Sequence, residues 1–284
     1  MGVSGLKTLQ NRHKKKRKLR LLARVSRELK SLKLTIQIAQ LNFLVGDIDG
    51  NVQRVIQAAQ AARRAQADAI VFPELTLTGY PPEDLLLRGD FIFRVERGLE
   101  RILAGCPGIH LILGYPKRGN GRLYNAAGVL HEGKILVEYY KQLLPNYSVF
   151  DEMRYFTPGH AATTFVLQGV RLGLTICEDI WEPEPIARSR AAGARLLLNL
   201  NASPFHTGKA PEREELVQRR ASDNAIPIVY ANLVGGQDEL VFDGGSFVVD
   251  AKGRLTQRLP FYTEAQEPVV FEGQDTPAPL PQDV

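Results

Sequence analysis

Three residues of types that together could cleave an amide bond lie at the ends of segments predicted to be β-strands. Glu74 and Lys141 each follow such a segment, and Cys177 ends another. Reactive side chains of open α/β sheets collect at the carboxyl ends of the strands. Each residue also has an ordinary explanation: a solvated acid, a surface lysine and a buried, inert thiol.

The chemistry of these three side chains is complementary. A thiol attacks as the thiolate, whereas free cysteine is mostly protonated at neutral pH. A glutamate that is partly desolvated at a strand end has a raised pKa and could accept the thiol proton. A lysine nearby would favour the thiolate and donate to the oxyanion that develops on the substrate. The set predicts a cysteine-dependent amide hydrolase, although His206 could instead partner Cys177.

Alternating strands and helices are predicted to position these residues. Residues 34–40 alternate apolar and polar side chains like a half-buried strand, residues 52–66 have helical spacing, and residues 69–72 form a short apolar strand. This order implies a right-handed crossover between parallel neighbours. The other predicted helices are 91–103, 185–192 and 212–224, and the other strands are 109–114, 123–131, 134–140, 163–167, 171–177, 195–199, 228–232 and 246–250. Turns at Glu132-Gly133 and Gln168-Gly169 predict two hairpins, so this α/β fold should contain mixed sheets.

The charge is distributed unevenly along the chain. Residues 1–33 contain 12 of the 36 lysines and arginines and one acid, Glu28, whereas the remainder has 24 basic and 30 acidic residues. Such a like-charge block repels itself and cannot bury a core, so a disordered extension is expected. Attraction to nucleic acid or another anionic surface, and a mitochondrial presequence, are alternative interpretations. The proline-rich residues 273–284 predict a linker or a frayed end.

The remaining composition bounds the class of protein. Two cysteines, Cys106 and Cys177, do not make a disulfide framework, which suggests a reducing compartment and a cytoplasmic location. No apolar run reaches the roughly 18 residues that a membrane-spanning helix needs. The five histidines show no metal-ligand spacing. Residues 34–272 are therefore predicted to form the globular body, without a membrane or a metal.

Four stretches carry a family resemblance: FPELTLTGYPPEDLLLR (72–88), YYKQLLPNYSVFDEMRYFTPG (139–159), LTICEDIW (174–181) and LNLNASPF (198–205). In this order they resemble the landmark blocks of the nitrilase, or carbon–nitrogen hydrolase, superfamily. In detail, GYPPEDLL, LPNYSVFDE and NASPF are similar to the glutaminase domain of glutamine-dependent NAD synthetases. The resemblance covers about residues 34–272. It implies a four-layer α-β-β-α sandwich with two mixed sheets, homo-oligomeric assembly and no cofactor.

The resemblance also implies catalytic roles. Glu74 would be the general base, Lys141 the oxyanion-stabilising lysine and Cys177 the nucleophile. Glu152 matches an accessory glutamate beside the lysine, with a plain surface acid as the alternative. The backbone N–H of Glu178 would share in binding the oxyanion.

Four residues match the glutamine contacts of the related sites: Tyr147, Glu178, Ser203 and Lys209. By charge, Glu178 suits the α-ammonium and Lys209 the α-carboxylate, with help from Ser203. Ser203 and Tyr147 could instead only shape the pocket wall. Lys209 lies in residues 206–210, which are predicted to form a loop.

The implied reaction is hydrolysis of the side-chain amide of glutamine through a thioester. The implied partner is an ATP-dependent NAD synthetase domain or subunit, whose Ser-Gly-Gly-x-Asp-Ser loop this sequence does not contain. The chain by itself is therefore expected to release glutamate and ammonia and not to make NAD. Two alternatives are open: an amidase of the same superfamily acting on ω-amides or N-carbamoyl amines, and a non-catalytic docking subunit that uses the basic arm.

Overall fold

The computed structural model of the protein describes residues 33–273 and 278–279. The predictions for the basic arm, except Lys33, and for residues 274–277 and 280–284 of the tail lie outside the described residues. The proposed boundaries of arm, body and tail remain predictions.

Within the described residues, the helices are α1 (Ile48–Arg64), α2 (Gly89–Gly105), α3 (Pro183–Ala191) and α4 (Lys209–Asn224). The strands are β1 (Lys33–Gln40), β2 (Ala69–Val71), β3 (His110–Gly119), β4 (Arg122–His131), β5 (Lys134–Tyr140), β6 (Thr164–Leu167), β7 (Val170–Ile176), β8 (Leu196–Asn201), β9 (Ile228–Asn232), β10 (Val234–Gln237), β11 (Leu240–Asp243), β12 (Phe247–Val249), β13 (Leu255–Arg258), β14 (Ala265–Glu272) and β15 (Ala278–Pro279). Short 3-10 helices occupy Glu83–Leu87, Glu152–Arg154 and Cys177–Ile180.

The strands form two large mixed sheets over the described ranges. One has seven strands in the order β15-β14-β1-β2-β3-β4-β5, and the other has six in the order β13-β12-β9-β8-β7-β6. β1, β2 and β3 run parallel, as do β7, β8 and β9. β4 pairs antiparallel with both β3 and β5. The predicted mixed α/β topology is confirmed.

The two sheets pack face to face with helices outside. Alternate residues of the strands, such as Ile36 and Val71 in one sheet and Leu174 and Leu198 in the other, meet in one fully buried core. The apolar faces of α1 and α2 cover the seven-stranded sheet, and those of α3 and α4 cover the six-stranded sheet. Since each sheet buries both faces, a short central strand such as β2 is apolar on both sides. The predicted four-layer sandwich is confirmed.

Both predicted hairpins have the turn conformation that their sequences favour. Glu132 and Gly133 have φ of 46° and 71°, and Gln168 and Gly169 have φ of 47° and 76°. Two successive residues with positive φ make a type I′ turn, whose twist matches that of the flanking strands. Glycine is favoured at the second position because it adopts this conformation without steric cost.

The structure corrects several predicted boundaries. β7 ends at Ile176, so Cys177 begins a 3-10 helix and does not end the strand. α4 begins at Lys209, so the segment 206–210 is not all loop. Pro211 fits the first turn because its missing N–H would have no acceptor within the helix there. The short strands β10, β11 and β13, and the charged strand β14, carry no strong periodic pattern and were not predicted.

None of the helices in the described part of the chain is both long and apolar enough to cross a lipid bilayer.

The topology brings the carboxyl ends of four strands to one edge of the sandwich. β2 and β5 run in the same direction within their sheet, because β4 reverses the chain between β3 and β5. β7 and β8 are parallel neighbours in the other sheet. A hydrogen bond of 3.4 Å from the Glu74 N–H to the Asn201 carbonyl joins the ends of β2 and β8 across the two sheets.

A stacked histidine pair at the opposite edge of the seven-stranded sheet is expected to make stability depend on pH. The rings of His110 and His131 lie 3.7 Å apart and 3° from parallel. Burial and the neighbouring His131 lower the pKa of His110, against the smaller effects of Asp68 and Glu132. The folded protein therefore binds this proton more weakly than the unfolded chain does. The free energy of unfolding should decrease as the pH falls below about 6.5, the pKa of an unfolded histidine.

The prediction is tested by urea unfolding of the protein and of a His110→Gln variant between about pH 7 and about pH 5. As the pH is lowered, the unfolding free energy of the variant is expected to decrease less than that of the parent protein. The same change at the exposed His160 should leave the decrease unaltered. An equally steep decrease in the His110→Gln protein would contradict the assignment.

Candidate active site

Glu74 lies just beyond β2, where Phe72 and Pro73 carry the chain past the end of the strand. Its carboxylate is buried and accepts three hydrogen bonds. Asn125 Nδ2 and Lys141 Nζ each donate to Oε1 over 2.7 Å, and the backbone N–H of Ala202 donates to Oε2 over 3.1 Å. These donors come from both sheets and fix the orientation of the carboxylate.

Lys141, the residue after β5, places its ammonium between two buried carboxylates. Nζ lies 2.7 Å from Glu74 Oε1 and 2.7 Å from Glu152 Oε1, and the lysine side chain is fully buried. Burial lowers the pKa of Lys141, but the charges of Glu152 and Glu74 raise it by more, to well above its ordinary value. The lysine is therefore a fixed positive charge at neutral pH. Glu152 proves to be a buried partner of the lysine and not a surface acid.

Glu152 is held from a second side by a tyrosine. The Tyr80 hydroxyl donates to the same oxygen, Glu152 Oε1, over 2.9 Å. Burial raises the pKa of Glu152, and repulsion from Glu74 adds to this against the attraction of Lys141. Three ionisable side chains and a phenol are thus packed in one buried group.

Cys177 is the first residue after β7 and is 5% exposed. Its φ is 42°, a strained conformation for a residue with a Cβ, in a sharp turn from strand to 3-10 helix. Such strain commonly accompanies functional positions. Burial, with the negative charge of Glu74, raises the pKa of the thiol well above its usual value, although Lys141 acts in the opposite direction. A raised pKa favours the neutral thiol, so a thiol at this position would need a base to remove its proton before it could act as a nucleophile.

A cleft of about 530 Å³ reaches the residue next to Cys177, Glu178. Its lining includes Tyr147, Glu178, Trp181 and Lys209. The volume is within the range of about 300–1,000 Å³ typical of small-molecule sites. Glu178, the neighbour of Cys177, lines the cleft, and its carboxylate accepts a hydrogen bond of 2.8 Å from the Tyr147 hydroxyl.

Lys209 projects from the first turn of α4 into the same cleft. Its Nζ lies 3.7 Å from the centre of the Trp181 ring and 3.2 Å from Glu212 Oε2. A lysine at a helix N-terminus adds its charge to the unpaired N–H groups there, which favours an anion. The cleft therefore has a carboxylate on one wall, at Glu178, and a cation on another.

Ser203 lies next to the cleft. It is 3% exposed, and its neighbours Pro204 and Phe205 line the cleft. Its N–H donates to Asn232 Oδ1 over 3.0 Å, and its carbonyl accepts from Arg213 over 3.3 Å. These contacts fix the backbone of Ser203, and its part in binding glutamine stays a prediction.

Comparison with known proteins decides the family. Residues 35–268 match the sequence profile of the carbon-nitrogen hydrolase family. The chain belongs to the carbon–nitrogen hydrolase family. A glutamine-dependent NAD(+) synthetase of Xanthomonas campestris pv. campestris is 47% identical to this hydrolase over 225 residues, which are 78% of this chain and 41% of that protein.

Two solved structures are similar to this hydrolase. The glutamine-dependent NAD+ synthetase from Acinetobacter baumannii has a TM-score of 0.82 and 37% identity, covering 84% of this chain and 45% of that one. A mutant amidase from Nesterenkonia sp. AN1, with the acetamide moiety of fluoroacetamide added covalently at the active site cysteine, has a TM-score of 0.76 and 27% identity, covering 85% and 90%. The hydrolase spans less than half the length of the NAD synthetases that it matches. The family and these relatives confirm the prediction of an amidohydrolase.

The buried group also contains residues that the sequence did not single out. Asn125 and the N–H of Ala202 orient Glu74, and Tyr80 holds Glu152. Tyr80 and Ala202 lie inside two of the sequence stretches that resemble the nitrilase superfamily, and this resemblance is the signal that could have identified them. Asn125 lies in the middle of β4, where nothing in the local sequence distinguishes it.

Two other kinds of site, a cysteine–histidine pair and a metal centre, have less support in the structure. His206 is exposed and lies 3.8 Å from Glu212, whereas the buried charges of Glu74 and Lys141 both influence the pKa of the Cys177 thiol. This difference favours a glutamate–lysine–cysteine group over a cysteine–histidine pair. Within residues 33–273 and 278–279, no three or more histidine, cysteine or acidic side chains converge in a way that could hold a metal ion.

Proposed function

We propose that this hydrolase cleaves the side-chain amide of L-glutamine by nucleophilic catalysis at Cys177. The observation that carries the proposal is the buried arrangement in which Lys141 bridges Glu74 and Glu152, with the charges of Lys141 and Glu74 influencing the pKa of the buried Cys177 thiol. The names of the NAD synthetase relatives support glutamine as substrate. The covalent adduct of the Nesterenkonia amidase supports a cysteine nucleophile.

Glu74 acts as the base in the first half of the reaction. As the Cys177 sulfur attacks the amide carbon, the thiol proton passes to the Glu74 carboxylate. Lys141 and the backbone N–H of Glu178 donate to the oxyanion, and each such donor is worth roughly 10²–10³-fold in rate. Glu74 then returns the proton to the amide nitrogen, which leaves as ammonia. The carbonyl carbon remains bound to the Cys177 sulfur as a thioester.

The second half of the reaction repeats the proton transfers with water. Glu74 takes a proton from a water molecule whose oxygen attacks the thioester carbon. The intermediate collapses to glutamate, the sulfur leaves, and the proton on Glu74 restores the thiol. The raised pKa of the thiol, caused by burial and by Glu74, makes sulfur protonation at the end favourable.

The cleft supplies complementary groups for the amino acid part of glutamine. Glu178, already held by Tyr147, suits the α-ammonium. Lys209 and the N-terminus of α4 suit the α-carboxylate. Both groups are engaged by other side chains in the free protein, so glutamine would replace the contacts of Lys209 with Trp181 and Glu212.

We further propose that the ammonia is consumed by an ATP-dependent NAD synthetase domain or subunit, because the matched relatives are glutamine-dependent NAD synthetases. A cytoplasmic location is part of the proposal, since both cysteines are unpaired in the described residues.

A Lys209→Met variant tests the glutamine assignment. Loss of a charge-assisted contact of about 1.5–3 kcal/mol should raise KM for glutamine by roughly 10–100-fold and leave kcat almost unchanged. Butyramide has the same side-chain amide but no α-carboxylate, so its turnover should be equal in the two proteins. The measurement is ammonia release under initial-rate conditions.

The same assay separates the alternatives. Equal losses for glutamine and butyramide would contradict the role of Lys209 in binding the carboxylate. Hydrolysis of an N-carbamoyl amine without hydrolysis of glutamine would replace the proposed substrate. No hydrolysis of any amide, with or without added NAD synthetase, would favour the docking-subunit interpretation.

A further inference from the structure

A further buried carboxylate, in addition to Glu74 and Glu152, lies near the catalytic group. Asp179 follows Cys177 by two residues in the 3-10 helix and is completely buried. Its Oδ1 accepts the N–H groups of Gln142 and Leu143 over 3.0 and 2.9 Å. Its Oδ2 accepts the N–H of Ile176 over 3.0 Å and the hydroxyl of Tyr139 over 2.8 Å. Four donors converge on one side chain.

The four donors come from the two segments that carry the reacting groups. Tyr139, Gln142 and Leu143 flank Lys141 at the end of β5, in the seven-stranded sheet. Ile176 precedes Cys177 at the end of β7, in the six-stranded sheet. One carboxylate therefore joins the segment with the ammonium to the turn with the thiol, across the gap between the sheets.

Both segments need such an anchor. Cys177 has a positive φ and stands in a 3-10 helix of only four residues, so the turn itself does little to hold the thiol in place. The backbone leaves the β ladder after Tyr140, and the first two N–H groups beyond Lys141 donate to Asp179. A misplacement of about 1 Å between reacting groups can reduce a rate about 10²-fold.

We propose that Asp179 is a positioning residue, which holds the Lys141 ammonium and the Cys177 thiol in register by binding the backbone on either side of both. The inference rests on the proposed glutamine hydrolysis for its kinetic effect. Asp179 touches neither of the two reacting groups in the hydrogen bonds described, so it acts through the segments and not on the substrate.

The ionised form of Asp179 is the one that accepts all four donors. Burial raises the pKa of Asp179 to about 6, although the N–H groups of Ile176 and Leu143 and the Tyr139 hydroxyl oppose the rise. Protonation would place an O–H against these donors and weaken the anchor. The hydrolysis rate should therefore decrease as the pH falls through about 6.

The test uses Asp179→Asn, which keeps the shape but turns one oxygen into an NH₂ group that faces two donors. We expect kcat for glutamine to fall about 10²-fold with KM changed by less than about threefold. Tyr139→Phe removes one donor only and should lower kcat by about threefold to tenfold, again without raising KM. Tyr115→Phe is the matched control, since it removes another buried tyrosine hydroxyl, 2.7 Å from Glu138, and should leave kcat unchanged.

A second readout does not depend on glutamine turnover. In a Cys106→Ala background, iodoacetamide should alkylate Cys177 about tenfold more slowly in the Asp179→Asn protein, because Glu74 no longer meets the thiol correctly. If the parent protein fails to hydrolyse glutamine, the proposed function fails, and the alkylation rates alone decide the role of Asp179. An alkylation rate in the variant that is unchanged or faster would then overturn it.

The kinetic outcomes decide the inference in the active protein. An Asp179→Asn variant with unchanged kcat, even one that unfolds at a lower temperature, would show a structural role only and overturn the proposal. If that variant does not fold, Tyr139→Phe decides: a kcat equal to that of Tyr115→Phe would overturn the proposal, and the lower kcat with unaltered KM would support it.

Discussion

Replacement of Cys177 by alanine is expected to reduce glutamine hydrolysis by about 10⁶-fold, a loss typical of removing a covalent nucleophile. The thiol is 5% exposed and packs in the core between the sheets, so the change deletes a single sulfur atom and should leave the fold intact. Ammonia release and thermal unfolding of the variant are the measurements.

Cys106→Ala is the matched control for this change. Cys106 is also 5% exposed but belongs to the helix-covered core outside the seven-stranded sheet, away from Glu74 and Lys141. Its replacement should preserve turnover. Measurable hydrolysis by the Cys177→Ala protein, above that of glutamine in buffer, would refute the nucleophile assignment.

Replacement of Lys141 by methionine is expected to damage both activity and stability. Methionine fills similar space but leaves Glu74 and Glu152 buried without the ammonium that lies 2.7 Å from each. Breaking a buried ion pair in this way typically costs about 3–5 kcal/mol of unfolding free energy. Loss of the oxyanion donor should in addition lower kcat by at least about 10²–10³-fold.

The stability loss should itself depend on pH. Without Lys141, burial and repulsion from Glu74 should raise the pKa of Glu152 in the folded protein further above its value in the unfolded chain. The folded variant then binds more protons than the unfolded one, so its deficit in unfolding free energy should shrink as the pH falls. Urea unfolding at about pH 8 and about pH 5 measures this difference.

Lys117→Met provides the comparison for an ordinary ion pair. Lys117 lies 3.4 Å from Glu138 and is 33% exposed, so its loss should cost no more than about 1 kcal/mol. A Lys141→Met protein as stable as the Lys117→Met protein at neutral pH would contradict the buried arrangement of the two carboxylates around one ammonium.

The sequence predicted the strands that position this site because these strands depend on local patterns. Glu74, Lys141 and Cys177 each stand next to a short apolar segment, and such segments become strands whose carboxyl ends meet at one edge. Paired turns with glycine at the second position made the hairpins predictable, and with them the mixed sheets. The number of layers came from the family resemblance alone.

The support of the site could not be predicted, because it depends on which strands pair and in which register. Asn125 donates to Glu74 from 51 positions along the chain, and Asp179 accepts from Leu143 across 36 positions. No local pattern records such contacts. The sequence predicts a loop around Lys209, whereas the structure places Lys209 in the first turn of α4, where Pro211 is also compatible with a helix.

The protonation state of the proposed nucleophile was also hidden in the sequence. A lysine beside a cysteine suggests a thiolate, and Lys141 does act in that direction. Burial of the thiol and the negative charge of Glu74 have the larger effect and keep it protonated. Desolvation depends on the whole packed environment, so only the folded structure reveals it.

The most direct test of the account is covalent labelling with an analogue of glutamine in which a chloromethyl ketone replaces the side-chain amide. The nucleophilic sulfur would displace chloride and retain the label, and peptide mass mapping would locate it. The account predicts a label on Cys177 alone, with loss of hydrolysis in proportion to labelling and protection by glutamine. Inactivation with the label on Cys106 or any other residue, and Cys177 unmodified, would contradict it.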